Sequence, residues 1–446
     1  MTEDVSPRRR REVIDALRRG TVPVSGLDLL AVGLDRLIPA MDADLAAVTG
    51  GGSAFKAIRG EYGAGKTFVT RFLAERALRQ GFAAAEVQIS ETQTPLHRLE
   101  TVYRRITEAL RTATYPPSAF RPVLDSWLFT LAADAAGGDL AGAADGDAQA
   151  EAVDRLLEQR LAAVSRQTPA FAQALRGYRA AVASDDSVTA DALAAWLGGQ
   201  PNVAAAARRG AGIRGELDHF GAMGFLQGLL AVLRDAGHPV LLLVLDEVET
   251  LQRVRGDVRD KAFNALRQLI DEIDAGRYPG LYLVITGTPP FYDGPSGISR
   301  LAPLAQRLAT DFSTEPRFDN PRAVQVRLPG FDRVALGILG RRVRDLYAGG
   351  SAEPDRLRAA ASDSYIDDLA SAVTGSLGGK AGVAPRIFLK KLVADVLDRI
   401  DQFPDFDPRV HYALTISSGE LSEEERNAAA LPAGAARAAD IDLDLP

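Results

Sequence analysis

Short apolar runs recur along the chain and are separated by segments with helical periodicity. The runs cover residues 54–58, 83–89, 239–245, 281–286 and 323–328. Continuous apolar runs of this length fit strands that are buried on both faces of a parallel sheet. Alternating strands and helices then predict a three-layer α/β domain whose central sheet has five parallel strands.

The changes of pattern along the chain predict further segments around this α/β core. Residues 112–212 form an alanine-rich insertion, in which helical stretches alternate with Gly/Asp/Ala-rich stretches. Its part at 137–149 is expected to be disordered. The C-terminal end is expected to be a short packed segment followed by a flexible acidic tail. The predicted division is an N-terminal helical segment (1–50), a core in two pieces (51–111 and 213–330), a helical insertion (112–212), a helical domain (331–402) and a C-terminal extension (403–446).

Composition narrows the classes of function. The chain has no cysteine, which excludes disulfides, thiolate catalysis and cysteine-ligated zinc. Its four histidines are widely spaced and lack metal-ligand spacing, so no dedicated transition-metal site is expected. It has no apolar run of about 18 residues and no secretory signal, so a cytoplasmic protein without a membrane span is expected.

Nucleic-acid binding has no global signature, because the formal net charge is −7. A local patch would have to provide the contact, and the run Arg8–Arg11 is the candidate. A four-residue basic start is more often a solvated helix face.

The strongest motif is the glycine-rich loop that follows the first apolar run and precedes a helical segment. Strand, glycine loop and helix form the context in which backbone N–H groups surround phosphates. Lys66 would supply a positive charge to the β- and γ-phosphates, and the Thr67 hydroxyl would ligate Mg²⁺. The motif therefore predicts binding of ATP and Mg²⁺, with a chance match as the alternative. The predicted contacts are Gly60, Glu61, Tyr62, Gly63, Ala64, Gly65, Lys66, Thr67 and Phe68.

A second candidate is the acidic pair Asp246-Glu247 at the end of the run 239–245. We expect this strand to lie beside the phosphate-loop strand, with Asp246 on the metal side of the site. Glu247 would then orient and deprotonate the attacking water. Acidic residues are also common wherever a buried strand emerges into solvent, which is the alternative explanation.

Thr286 and Thr288 end the fourth run and could reach the γ-phosphate. Thr288 is slightly preferred for this sensing role, and the alternative is that both threonines simply enter the turn before Pro289.

Several arginines could stabilise the transition-state charge. Arg307 is the first choice for reaching the site of a neighbouring subunit, ahead of Arg300, Arg317 and Arg322. Arg386 follows Pro385 in the first turn of a predicted helix, from which it could point at a nucleotide. For each of them, an ordinary solvated arginine is the alternative.

Taken in order, these elements resemble the AAA+ class of P-loop ATPases. More narrowly, the chain resembles the ATP-binding proteins of BREX phage-resistance systems, the BrxD-type family, over about residues 8 to 415. That resemblance depends on residues 17–23 (LRRGTVP), 32–35 (VGLD), 60–67 (GEYGAGKT) and 245–249 (LDEVE).

The resemblance implies roles that the residues alone do not establish. It implies ATP hydrolysis by Lys66, Thr67, Asp246 and Glu247, a first sensor at Thr288, a second sensor at Arg386, a C-terminal helical lid, and an adenine pocket near Val22-Pro23 and Val32-Gly33. It also implies assembly into homo-oligomeric rings or filaments, other defence-system proteins as partners, and action on foreign DNA. The chain departs from the fuller AAA+ pattern by a threonine in place of the sensor asparagine. The segment after residue 402 is also shorter than expected for a winged-helix DNA-binding domain, so direct recognition of duplex DNA by this chain alone is not expected.

Two classes of function follow. One is an ATP-hydrolysing motor or switch in a bacterial antiphage complex coupled to DNA, which the presence of Glu247 favours. The other is a nucleotide-dependent signalling switch or scaffold that recruits partners with little turnover.

Overall fold

The computed structural model describes residues 5–137, 146–213, 215–376 and 384–417. Its centre is a sheet of five parallel strands in the order β2-β3-β4-β1-β5, which confirms the predicted sheet. The strands are β1 Ala54–Arg59, β2 Ala83–Gln88, β3 Leu241–Asp246, β4 Leu281–Gly287 and β5 Gln325–Arg327.

The helices are α1 Pro7–Arg18, α2 Leu37–Thr49, α3 Lys66–Arg79, α4 Leu99–Ala109, α5 Phe120–Gly137, α6 Gly146–Gln167, α7 Pro169–Ala183, α8 Ser187–Leu197, α9 Ala205–Gly210, α10 His219–Asp235, α11 Gly256–Asp274, α12 Pro289–Asp293, α13 Ala302–Arg307, α14 Arg333–Ala348, α15 Pro354–Ala360, α16 Asp363–Ser376, α17 Ala384–Lys390, α18 Asp398–Gln402 and α19 Pro408–His411. A π-helical segment, Lys391–Leu397, joins α17 to α18. Within the described ranges, no helix is both long enough and apolar enough to cross a membrane.

The strand order corrects one expectation from the sequence. The strand that ends in Asp246 does not lie beside the phosphate-loop strand, because β4 is inserted between β3 and β1. Leu245 pairs with Ile285, and Arg59 pairs with Gly287, so the carboxyl ends of all three strands meet at one edge of the sheet. The end of β4 therefore fills the space between the acidic strand end and the phosphate loop.

Both faces of the sheet are covered by helices, as apolar parallel strands require. Alternate strand residues face two separate apolar cores: Leu243 and Leu283 belong to one, and Leu242 and Val284 to the other. The first core includes α4, α10 and α11, and the second includes α2 and α3.

The helices α5 to α8 share the first of these cores. The rings of Phe171 and Trp196 each pack edge-on against Phe225 of α10, with centroids 5.1 Å apart, and the Trp127 indole donates a hydrogen bond to Asp235. Within the predicted helical insertion at 112–212, these helices pack on the face of the sheet that the first core covers, and the bounds of the insertion stay a prediction. The part of 137–149 between residues 138 and 145 lies outside the described residues.

The N-terminal helix packs against the C-terminal helices. Val13, Ile14 and Leu17 of α1 are buried in one core with α14, α16 and α17. The Arg18 guanidinium donates two hydrogen bonds, of 2.6 and 2.8 Å, to the two carboxylate oxygens of Asp398. Residues 380 positions apart in the chain therefore form one helical unit beside the sheet.

Candidate nucleotide site

The glycine-rich loop connects the end of β1 to the start of α3. Gly63 and Gly65 adopt left-handed backbone conformations, with φ of 79° and 92°, which glycine adopts without steric cost. A Cβ atom at Gly60 would lie 3.2 Å from the Cβ of Ala64. The loop thus needs glycine for its turn and for its close packing, and it presents the N-terminus of α3 to the space in front of it.

Lys66 lies at the centre of this loop. Its Nζ donates hydrogen bonds to the carbonyl oxygens of Gly60 at 3.0 Å and Glu61 at 3.3 Å, and its side chain is only 8% exposed. Glu249 Oε1 lies 3.8 Å from the same Nζ. The loop therefore holds the ammonium group at the position where phosphate oxygens would need it.

Asp246 connects three elements at the sheet edge. Its Oδ2 accepts a hydrogen bond from the Thr67 hydroxyl at 3.1 Å, and its Oδ1 accepts from the Thr286 hydroxyl and from the backbone N–H of Glu247. The same N–H lies 3.1 Å from Thr286 Oγ1. The start of α3, the end of β3 and the end of β4 are thus joined through one buried carboxylate.

This arrangement fits magnesium better than a metal held only by protein ligands. The described residues contain no group of three or more His, Cys, Asp or Glu side chains that could hold a metal ion. Mg²⁺ needs few protein oxygens, because water and substrate phosphates complete its octahedron. The hydroxyl of Thr67 and the carboxylate of Asp246, 3.1 Å apart, form such an oxygen pair beside the phosphate loop.

Glu247 has an unusual backbone conformation and an interstrand partner. Its φ of 60° and ψ of 42° place it in the left-handed region, which is uncommon for residues other than glycine. Its Oε2 accepts a hydrogen bond of 2.8 Å from Gln88 Nε2 at the end of β2. The sequence analysis did not find Gln88, although its register opposite Asp246 follows once the order of β2 and β3 is known.

Glu249 is a second residue that the sequence analysis missed. Burial raises the pKa of its carboxyl group, while the nearby Lys66 ammonium acts in the opposite direction. Its Oε2 is buried and has no hydrogen-bond partner. Such unsatisfied buried oxygens are rare and need an explanation.

A cavity of about 250 Å³ extends from the phosphate loop to the helical unit. One end is polar and includes Lys66, Thr67, Asp246, Glu247 and Glu249, and the other is mostly apolar. The apolar end is formed by Leu17, Val22, Pro23, Leu30, Phe68, Phe331, Leu339 and Leu389, with Tyr62, Pro385 and Arg386 also lining the cavity. The shape and the polarity thus match a ligand with an anionic end and an apolar or aromatic end.

The cavity contains most of the predicted nucleotide contacts. Val22, Pro23 and Arg386 line it, although they come from opposite ends of the chain. Val32 instead lines a smaller cavity of about 60 Å³ on the other side of Phe331, which shares Gly65 and Phe68 with the main cavity.

Thr288 and Arg307 are not among the residues that line this cavity. Thr288 is half-buried and immediately precedes α12, without a side-chain capping hydrogen bond. The Arg307 guanidinium forms an ion pair with Asp271 of α11 and donates 2.9 Å to the carbonyl of Pro303. Of the two threonines, it is Thr286 that contacts Asp246.

Three of the four arginines in the run Arg8–Arg11 form ion pairs or hydrogen bonds with other residues of the chain. Arg8 pairs with Glu12 on the same helix at 2.9 Å, Arg9 pairs with Asp28, and Arg10 donates to a backbone carbonyl. These contacts favour a partly solvated helix face over a free phosphate-binding patch.

Comparison with known proteins gives one positive result. A family model described as "BREX system ATP-binding protein BrxC/D" matches residues 5–416, which is most of the chain. No match was found among curated proteins or among solved structures. The match agrees with the phosphate loop, the acidic strand end and the cavity between them. The chain belongs to the BrxC/D family of BREX system ATP-binding proteins.

Proposed function

We propose that this protein is an AAA+ ATPase that hydrolyses ATP and acts as a motor or switch in a cytoplasmic BREX defence complex coupled to DNA. The observation that carries the proposal is the contact of Thr67, Asp246 and Thr286 beside Lys66, with Glu247 as the next residue. Lys66, Thr67, Asp246 and Glu247 line the same end of one cavity, which supports their proposed roles as phosphate ligand, metal ligands and base.

In this proposal, residues of the phosphate loop bind and orient the substrate. Lys66 exchanges the carbonyl oxygens of Gly60 and Glu61 for oxygens of the β- and γ-phosphates. Thr67 and Asp246 hold Mg²⁺, which when bound neutralises charge that develops on the transferred phosphoryl group. The apolar end of the cavity takes the adenine, with Val22 and Pro23 against the base.

Hydrolysis needs one proton acceptor near the terminal phosphate. The oxygen of a water molecule attacks the γ-phosphorus, the bond to the bridging oxygen of ADP breaks, and Glu247 accepts a proton from the water. In the structure Glu247 Oε2 accepts a 2.8 Å hydrogen bond from Gln88, and this contact would restrain the carboxylate on the β2 side of the site.

The helical unit is proposed as a lid whose position reports the bound nucleotide. Arg386 in the first turn of α17 would contact phosphate oxygens, and α1 would move with the lid because it shares its core. We keep Thr288 as the candidate first sensor of the γ-phosphate. Arg307 is the candidate arginine that stabilises transition-state charge in the site of the next subunit of a homo-oligomer.

The second candidate function, a switch that waits for a partner, is also supported by one observation. The hydrogen bond between Gln88 and Glu247 holds the proposed base on the β2 side of the site. A partner protein or DNA that breaks this contact would start turnover.

Steady-state ATP turnover, measured with and without single- and double-stranded DNA, tests these functions. The Glu247→Gln variant should keep ATP binding and lose turnover, while Glu216→Gln, an exposed residue outside the cavity, should behave as wild type. Stimulation by DNA supports the motor. Tight binding with negligible turnover in every condition supports the switch, and normal turnover by Glu247→Gln removes Glu247 as the base.

A further inference from the structure

Glu249 is fixed in place by the turn that carries it. The 3-10 turn Val248–Gln252 follows β3, and its residues Val248 and Leu251 are buried in the apolar core on one face of the sheet. Glu249 lies between these two anchors and lines the polar end of the cavity. Its carboxylate is therefore held facing the phosphate loop and is not a mobile surface group.

The polar end of the cavity carries more negative than positive charge. Three carboxylates, those of Asp246, Glu247 and Glu249, line it together with the ammonium of Lys66. Asp246 accepts from hydroxyl and backbone donors, and Glu247 accepts from Gln88. Glu249 Oε1 lies 3.8 Å from Lys66 Nζ, and Glu249 Oε2 is buried without a hydrogen-bond partner.

No fold-stabilising role accounts for this carboxylate. A buried oxygen that accepts no hydrogen bond destabilises a protein. A glutamine at position 249 would have nearly the same volume and would carry an N–H₂ donor, so stability alone gives no reason for a glutamate here. The residue lies near Lys66, one of the cations that the proposed function assigns to the phosphates. Its position thus points to an effect on the ligand of Lys66.

We propose that Glu249 is a specificity-determining residue that competes with the terminal phosphate for Lys66 and so weakens the binding of nucleoside triphosphate relative to diphosphate. This inference depends on the proposed function, since it assumes that nucleotide phosphates occupy the loop. We expect the repulsion to fall on the terminal phosphate, because Glu249 lines the same polar end of the cavity as Asp246 and Glu247, beside which the proposed arrangement puts the reacting phosphate. The diphosphate lacks that group and avoids the charge. The resting protein then favours the diphosphate-bound or empty state.

The size of the effect follows from the charges. Two unit charges about 5 Å apart alter an affinity by about fourfold in water and by roughly three hundredfold at an effective protein dielectric of about 20. The cavity is open to solvent on one side, so we expect an intermediate effect of about tenfold.

The test is calorimetric binding of ADP and of a non-hydrolysable methylene-bridged ATP analogue, both with Mg²⁺, to wild type and Glu249→Gln. The variant should bind the analogue about tenfold more tightly and ADP within about twofold of wild type. Glu100→Gln is the matched control, because Glu100 also has a buried oxygen without a partner but does not line the cavity. Both affinities should be unchanged in that control.

Each of the following results would overturn the inference. Unchanged affinities, or equal changes for the two nucleotides, would show that Glu249 does not discriminate between them. Weaker binding of the analogue would show that Glu249 helps to hold the metal or its water. If Glu249→Gln fails to fold, Glu249→Ala must show the same selective gain for the analogue. Wild type that binds neither nucleotide would refute the proposed function as well, and this outcome differs from all the others.

Discussion

Thr286→Val removes one hydroxyl group from the centre of the proposed site. Thr286 is fully buried, and its hydroxyl donates to Asp246 Oδ1 and accepts from the backbone N–H of Glu247. Valine has nearly the same shape, so the packing of β4 stays intact while both hydrogen bonds disappear. Thr288→Val is the matched control, because Thr288 lies two residues further on and makes no side-chain capping bond.

The expected cost follows from the two bonds. A hydrogen bond to a charged acceptor contributes about 1.5–3 kcal/mol and a neutral one about 0.5–1.5 kcal/mol. In the variant, the Glu247 N–H can still donate to Asp246 Oδ1, which is 3.1 Å away. Loss of its hydrogen bond to Thr286 should therefore cost an energy near the lower limit of the neutral range. We expect Thr286→Val to lower the free energy of unfolding by about 2–3 kcal/mol, and Thr288→Val by less than about 0.5 kcal/mol.

Urea denaturation without nucleotide measures the stability effect, and ATP turnover of the same preparations measures the functional one. Thr286→Val should also reduce turnover, because Asp246 loses one of the donors that orient it. Equal stability and equal turnover of the two variants would refute this assignment. A larger loss of turnover in Thr288→Val would instead support Thr288 as the sensor.

Three further substitutions test the proposed moving parts. Arg307→Ala should lower turnover by about 10³-fold in assembled protein and leave monomers unaffected. Asp271→Ala, which releases Arg307 from its ion pair, should not lower turnover. Turnover is measured against protein concentration, and equal losses in monomers and assemblies would exclude action across an interface. Gln88→Ala should raise turnover in the absence of partners several-fold by releasing Glu247, and unchanged turnover would show that this contact does not restrain the base. Arg386→Ala should weaken binding of a non-hydrolysable ATP analogue by about tenfold or more, as expected for the loss of a charged hydrogen bond; wild-type affinity in a titration would exclude contact between Arg386 and the phosphates.

The local parts of the site could be predicted from the sequence. The glycine loop, Lys66 and Thr67 lie within eight consecutive residues, and the backbone geometry that they require is set by those residues. The five apolar runs became the five strands, with β5 shorter than its run. Asp246 was found because a buried strand ends there.

The order of the strands and the contacts between them could not be predicted. An apolar run carries no information about its neighbour in the sheet, and the position of β4 between β3 and β1 decides that Thr286 contacts Asp246. Gln88 lies near Glu247 because of the register between β2 and β3, and Glu249 lies near Lys66 because of the 3-10 turn that follows β3. Neither the register nor the turn could be read from a pattern in the sequence. The packing of α1 against the C-terminal helices likewise depends on contacts between distant segments.

The most direct test of the central proposal is equilibrium binding of ATP with Mg²⁺ to wild type and to Lys66→Ala. In the resting structure Lys66 bonds only to two loop carbonyls and, more distantly, to Glu249, so alanine should leave the fold intact, which circular dichroism checks. We expect saturable binding by wild type and a loss of affinity of at least about a hundredfold in the variant, since a buried charge-assisted contact to phosphate is removed. Equal affinities of the two proteins would contradict the assignment of residues 60–67 as the phosphate site.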